Sequence, residues 1–275
     1  MEKLSTSVAE REEAAFKGII TNVYEKGVES SPRGMLIKEL NNFWYTLPPF
    51  IRFMNFEARK LNIDYIKHEF LWYLKGDRLD TSITDHAKMW SGLINDDGSI
   101  NSNYGQYIFG EQQQFWSVVK TLEADKDSRR GSIVILAAEH LLSDTKDVPC
   151  TYAINFRIRD NKLDMTVHMR SQDAIFGMGN DAPAFSFVHE MMWHTLRVKY
   201  PELMYGTYCH LADSFHIYER HFEMAKQISS GYNIFTPVDC PPISGRAEVE
   251  FLTNGHFEQI PEVFKFTRWL HTYER

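Results

Sequence analysis

Residues 151–170 constrain this chain more than any other stretch. Tyr152, Ile154, Phe156 and Ile158 alternate with Ala153, Asn155 and Arg157. Asp160 and Asn161 then make a turn, and Leu163, Met165, Val167 and Met169 alternate on the way back. Successive strand side chains point to opposite faces, so this period of two predicts a hairpin with one face in a core. Around it the apolar period lengthens to that of helices. Residues 7–26 place Phe16, Ile19, Ile20, Val23 and Tyr24 on one face, with Gly27 as a stop. Residues 64–75 read as a buried helix with Asp64 as N-cap and Gly76 after its end. Phe115, Val118, Val119 and Leu122 mark another helix; 183–199 form one that Pro183 opens, and 214–229 one more. A loop at 30–34 leads to a strand from Met35; 95–105 are turn-rich and 132–138 a short buried strand. At roughly 100–200 residues per domain, 275 residues allow one domain or two. With no linker, no repeat and no regular βαβ rhythm, the expectation is a single α+β domain over residues 1–275.

Several function classes drop out. A net charge of −7 argues against general affinity for nucleic-acid backbones, while leaving room for a local cationic pocket for one phosphate. Cys150, Cys209 and Cys240 lack C-x-x-C spacing, so neither a disulfide framework nor a zinc site is expected, and the set fits a reducing cytoplasm. No apolar run reaches ~18 residues, so no membrane span is expected. The first eighteen residues are charged and lack an apolar signal core. His189 and His194 look like a metalloprotease helix, but they stand five apart, about 140° around a helix, and no metal is expected.

Cys150 follows Pro149 at the start of the hairpin. By position it is either a small buried hydrophobe or a nucleophile. Arg129 and Arg130 precede the strand at 132–138, and Arg170 ends an apolar strand, where a guanidinium needs an anionic partner. Several arginines converging on one place would suit a phosphate.

Taken together, these pieces resemble the thymidylate synthase family. Arg33 stands where that family has its N-terminal phosphate-loop arginine. HEFLWYLKGD at 68–77, which carries Glu69, is similar to its H-E-L-L-W-F-L-x-G-D helix. Trp90 and Tyr104-Gly105 fit its W…YG segment, and Asp127-Ser128-Arg129-Arg130 its D-S-R-R. Pro149-Cys150 fits the catalytic P-C. Arg170-Ser171-Gln172-Asp173, then Gly177, fit R-S-x-D…G, and His216-Ile217-Tyr218 fits H-x-Y. The pieces occur in family order from about residue 30 to 225. The resemblance implies a mixed β-sheet packed with helices, a sheet face that joins two copies, and Cys150 as nucleophile.

Three departures are informative. Thr151 follows the cysteine where synthases have His. The family's G-x-P-F-N, whose Asn reads uracil, becomes Gly177-Met178-Gly179-Asn180-Asp181, with Asp181 in the reading position. The C-terminus, FKFTRWLHTYER, replaces a short apolar tail. All three resemble the phage deoxycytidylate hydroxymethylase branch, which implies a phage source and base-modified DNA. Cytosine presents an amino donor and a ring acceptor, so a carboxyl that accepts from N4 and shares a proton with N3 completes the pair. An ionised Asp facing uracil O4 would set acceptor against acceptor. Two other readings stand beside this one: Asp181 caps the helix at Pro183, or a one-residue slip puts Asn180 at the base.

The implied activity is folate-dependent hydroxymethylation of dCMP in the cytoplasm. Cys150, its pKa lowered by nearby arginines, adds to C6. One carbon comes from the cosubstrate 5,10-methylenetetrahydrofolate, and water completes 5-hydroxymethyl-dCMP. Glu69 manages protons and ordered water; the alternative is a surface salt bridge. Tyr104 helps with the C5 proton. Arg33, Arg170 and Ser171 hold the 5′-phosphate, and Arg129 and Arg130 reach across from a second subunit of a homodimer. His216 and Tyr218 bond the sugar 3′-hydroxyl. Asp173 supports the folate or the base-side water, and Trp90 forms the folate-side wall, whose second tryptophan is replaced by Leu93. A dCMP or dUMP methylase finishing by hydride transfer, and a CMP hydroxymethylase, are the alternatives. No nucleic acid or membrane partner is expected.

Overall fold

The computed structural model describes residues 7–142, 144–255 and 257–273. The first six residues of the charged N-terminus and the last two of the C-terminal tail lie outside them. In chain order the strands are β1 (Val28–Ser30), β2 (Ile37–Leu47), β3 (Ser132–Val134), β4 (Thr151–Arg159), β5 (Lys162–Asp173) and β6 (Met204–Tyr218). The helices are α1 (Val8–Lys26), α2 (Ile63–Lys75), α3 (Gly105–Ile108), α4 (Gln114–Ala124), α5 (Ala138–Leu142), α6 (Phe176–Leu196), α7 (Phe222–Ser230), α8 (Arg246–Asn254) and α9 (Lys265–Leu270). The six strands form one sheet in the order β1-β2-β6-β5-β4-β3. It is mixed: β5 and β6 run parallel, and the other neighbours antiparallel. Antiparallel neighbours accept short turns, whereas the parallel pair needs a crossover, which α6 supplies between β5 and β6.

The hairpin forms as read. Arg159 pairs with Lys162, and Asp160 and Asn161 take φ of 48° and 58°, the left-handed backbone that a tight two-residue turn needs. Helix α1 opens on a capping box in which Ser7 and Glu10 satisfy each other's backbone donors. Gly76 closes α2 at φ 60°. Asn62, not Asp64, caps α2, by accepting from the Tyr65 amide at 2.9 Å; Asp64 lies in the first turn. The strand expected at 132–138 is shorter: β3 ends at Val134, and Ala138 already belongs to α5.

Two larger corrections bear on the site. Helix α6 starts at Phe176, seven residues before Pro183, which lies inside it. Asp173 makes that start possible: its carboxylate accepts from the amides of Ile175 and Phe176 at 3.0 and 3.1 Å, two of the donors that a helix start leaves free. Residues 204–218 are strand; a 3-10 turn at Glu219–His221 follows, and α-helix begins only at Phe222. The side chains of Tyr208, His210 and Ala212 alternate into the core, between β2 and β5, and that burial overrides local helical spacing.

Apolar on most of its surface, α6 is the buried spine. Phe185, Phe187, Val188, Met191 and Leu196 are almost fully covered. Phe187 meets Phe70 of α2 at 5.0 Å, Phe266 of α9 at 4.9 Å and Phe53 at 6.2 Å, ring to ring. Lower on the spine, Glu190 is fully buried against Arg52 at 2.8 Å and accepts from the Ile243 amide. His189 of the rejected zinc motif bonds the Leu163 carbonyl at 2.8 Å. No helix among the described residues is long and apolar enough to cross a membrane. Phe187→Ala should cost about 3–5 kcal/mol, because it empties a site bounded by three helices. Urea unfolding followed by circular dichroism measures this, and a loss under 1 kcal/mol would refute the packing described.

Candidate active site

Cys150 sits one residue before β4, and three contacts fix it. Its carbonyl accepts from the Arg170 amide at 2.8 Å, which extends the hairpin ladder by one rung. The Arg170 guanidinium turns back onto the same loop, donating to Val148 O at 2.8 Å and Pro149 O at 3.1 Å. On the other side Asp147 accepts from the Ser102 amide and hydroxyl, at 2.6 and 2.5 Å, which ties the loop to the turn-rich segment. Cys150 itself is partly buried. Burial pushes its thiol above the ordinary range; Arg170 and Arg33 pull it down, while Asp181 and Asp147 push it up. The sequence led us to expect a thiol activated by arginines. The arginine effects are present, but desolvation outweighs them.

Two carboxyls line this cleft, Glu69 and Asp181, and the charge of Asp181 acts on both Cys150 and Glu69. Glu69, on α2, is 5% exposed and accepts from Tyr65 at 2.8 Å; Tyr65 in turn accepts from the Trp90 indole at 2.9 Å. Burial, then the charge of Asp181, raises Glu69 to about 8. Glu69 is therefore no surface ion-pair residue. Asp181, in the second turn of α6, is raised to about 7, chiefly by burial and further by Asp173, against a hydrogen bond from Gln172. Gln172 donates to Asp181 Oδ2 at 3.2 Å and accepts from Tyr45 at 3.3 Å. Two coupled acids that hold protons near neutral pH, one of them acting on a sulfur nucleophile, suit proton transfer.

The rotation of α6 decides which side chain faces the cleft. Arg59, 3% exposed, donates to Ile175 O at 3.0 Å and to Asn180 Oδ1 at 2.7 Å. Asn180 is thus turned onto Arg59, while Asp181 turns onto Gln172. Any side chain at Gly179 would run into the Arg59 guanidinium. The reading of Asp181 as a cap for a helix at Pro183 falls, because that helix has already begun. The charge of Asp181 acts on Cys150, Glu69, Tyr65 and Tyr73. It also acts on Tyr45, Tyr104 and Tyr208.

Tyr104 is 6% exposed and lies beside Thr151; burial, then the Cys150 and Asp181 charges, lifts its phenol well above the ordinary value. It therefore keeps its proton and acts as a donor, so help with a C5 proton would go through water. Gly105 is required next to it, since a side chain there would strike the Tyr73 backbone. On the β5–β6 edge the register sets Ser171 opposite Ser214 and Asp173 opposite His216. His216 is buried, its pKa lowered by burial, and Tyr218 stands edge-on to it at 4.8 Å. Asp173 is spent on capping α6, with Gly177 one turn further on. Arg33 is exposed at φ 53° in a tight turn. Arg129 and Arg130 are exposed in the turn after α4, and neither bears on the Cys150 thiol of its own chain.

Five residues of the site went unread in the sequence: Tyr45, Arg59, Tyr65, Asp147 and Gln172. Tyr65 had a signal, since it stands four residues before Glu69 on one helix face. Gln172 filled only the unspecified place of a motif. The other three act through contacts distant in sequence.

Residues 14–236 match the family model described as thymidylate synthase. Over 247 residues the chain is 28% identical to a deoxyuridylate hydroxymethyltransferase of Bacillus phage SP01, which covers 83% of this chain and 63% of that relative. It is 31% identical over 171 residues to a deoxycytidylate 5-hydroxymethyltransferase of Enterobacteria phage T6, and 30% identical to that of phage T4; each match covers 59% of this chain and 70% of the relative. The match thus spans less than two thirds of the SP01 protein's length. Iodoacetamide labelling of Cys150, read by peptide mass spectrometry, is expected to show a midpoint above the ordinary thiol range, moving higher in Arg170→Met. A midpoint near neutrality would overturn the balance of charges described.

Proposed function

The chain belongs to the thymidylate synthase family, and on that premise we propose that it hydroxymethylates C5 of dCMP, giving 5-hydroxymethyl-dCMP. One observation carries this: a carboxyl, Asp181, and not the neighbouring amide of Asn180, lies beside Cys150. A carboxyl sharing one proton with the ring accepts from the cytosine amino group; ionised, it repels uracil O4. The phage relatives named for deoxycytidylate support the reading.

The family uses methylenetetrahydrofolate, which would supply the one-carbon unit to C5 and leave as tetrahydrofolate. The residues present fit it: Trp90 offers an aromatic wall, Glu69 a carboxyl that holds its proton near neutrality, and Leu93 an apolar neighbour. Cys150 loses its thiol proton as sulfur bonds to C6, and C5 becomes nucleophilic. Arg170 keeps the sulfur in place by holding its loop. Glu69 and Tyr104 direct the water that takes the C5 proton, and water then supplies the product hydroxyl as sulfur leaves C6. Arg33, Arg170 and Ser171 hold the phosphate, and His216 and Tyr218 the sugar. We take residues 1–275 as one catalytic domain acting in the cytoplasm, and phage-encoded like its relatives. Two copies pair through the outer sheet face, where Trp44 is 63% exposed, so that Arg129 and Arg130 reach the partner's phosphate. Their exposure supports this.

A second reading is hydroxymethylation of dUMP. It is favoured by the SP01 relative's name and by Asp181's rise to about 7, since the neutral acid also matches uracil. Incubation with each nucleotide and methylenetetrahydrofolate decides: a mass gain of CH₂O on dCMP is expected, whereas a gain of CH₂ means methylation. Cys150→Ser should abolish tritium release from [5-³H]dCMP with an unchanged circular dichroism spectrum. Asp181→Asn should move preference toward dUMP, and an unmoved preference removes Asp181 as reader. In the parent protein kcat/KM for dCMP should fall from pH 6 to 8, as Asp181, raised to about 7, loses the proton it shares with N3.

A further inference from the structure

A carboxyl that keeps its proton near neutrality is an ambiguous reader. With the hydrogen on one oxygen it matches cytosine; with the hydrogen on the other it matches uracil. Something must choose between the two oxygens of Asp181. Among the described residues Gln172 is the side chain that hydrogen-bonds this carboxyl, and it bonds Oδ2 alone, at 3.2 Å. The Gln172 amide cannot rotate freely, because its oxygen accepts from the Tyr45 hydroxyl at 3.3 Å. Tyr45 is 5% exposed and stacked flat on His210 at 5.0 Å, and His210 Nδ1 lies 2.7 Å from the Tyr208 hydroxyl. Gln172 itself is 2% exposed.

We propose that Gln172, oriented by Tyr45, is the positioning residue that makes Asp181 read cytosine and reject uracil. The inference rests on the dCMP reading above and deepens it. An amide N–H aimed at Oδ2 disfavours a proton there, because a hydroxyl oxygen accepts less well than a carbonyl or carboxylate oxygen. Oδ2 therefore remains an acceptor for the amide. In the proposed pose the cytosine amino group meets this same oxygen, and Oδ1 carries the hydrogen shared with ring N3. Uracil needs those roles exchanged, with the carboxyl O–H on the oxygen that already faces an N–H. The other titratable groups facing Asp181 are Glu69, Asp173, Cys150 and the tyrosines at 45, 65, 73, 104 and 208. None of these hydrogen-bonds the carboxyl among the described residues, so none fixes which oxygen holds the proton.

The test is tritium release from [5-³H]dCMP and [5-³H]dUMP by the full chain, by Gln172→Met and by Tyr45→Phe. Gln172→Met should lower the dCMP/dUMP ratio of kcat/KM about tenfold, the size of one buried hydrogen bond. Tyr45→Phe, which only frees the amide to turn, should lower it less. Loss of the amide donor also raises the Asp181 pKa, so dUMP use in Gln172→Met should persist to higher pH than in the parent. An unchanged ratio in folded Gln172→Met, or an equal loss on both substrates, overturns the inference and leaves the dCMP reading intact. If that variant does not fold, the ratio in Tyr45→Phe decides alone. A parent protein that releases tritium from dUMP and not from dCMP overturns the dCMP reading, and the inference with it.

Discussion

Asp173 fixes where α6 begins, and the cleft is built outward from that point. Its two hydrogen bonds to Ile175 and Phe176 start the helix before the glycines, so the turn that follows has a set rotation. Asn180 then falls on the side of Arg59, and Asp181, 100° further round, on the side of Gln172. A helix beginning at Pro183 would leave both side chains on a loop, with neither direction specified. The same start lets α6 run through the core as a spine, which anchors the cleft to the aromatic cluster around Phe187.

The cleft collects groups that burial makes reluctant to ionise. Glu69 and Asp181 hold protons near neutral pH, Tyr104 well beyond it, and the Cys150 thiol is held up rather than down. Such a site is poor at separating charge on its own and well suited to passing protons over short distances. Arg170 contributes by geometry as much as by charge, since its guanidinium holds the loop that presents the sulfur.

Legibility in the sequence followed the range of the interaction. The β4–β5 hairpin, the ends of α1 and the Gly76 stop were readable, because alternation, capping chemistry and left-handed glycine act within a few residues. Cys150, Glu69 and Asp181 were readable as candidates from their motifs, and in the structure the charge of Asp181 acts on the other two. Strand β6 was read as helix over 214–218, because nothing local shows that β2 and β5 flank it. Pro183 suggested a helix start, since its cap, Asp173, lies ten residues away behind two glycines. Gln172 and Tyr45 are 127 residues apart, and Arg59 and Asn180 are 121 apart. The thiol was misjudged for a similar reason: arginines are visible in a sequence, while desolvation depends on everything folded around the group.

The contact between Gly179 and Arg59 limits how such a chain can diverge. A guanidinium occupies the space that any β-carbon at 179 would need, so a larger residue there requires the Arg59 side chain to move off Asn180 or position 59 to shorten. Either releases Asn180 from its tether, and with it the choice of which neighbour looks into the cleft. Change at these two positions is therefore epistatic, and its intermediate step is a loosened reader. A lineage could exchange one pyrimidine for the other along that route without altering the nucleophile.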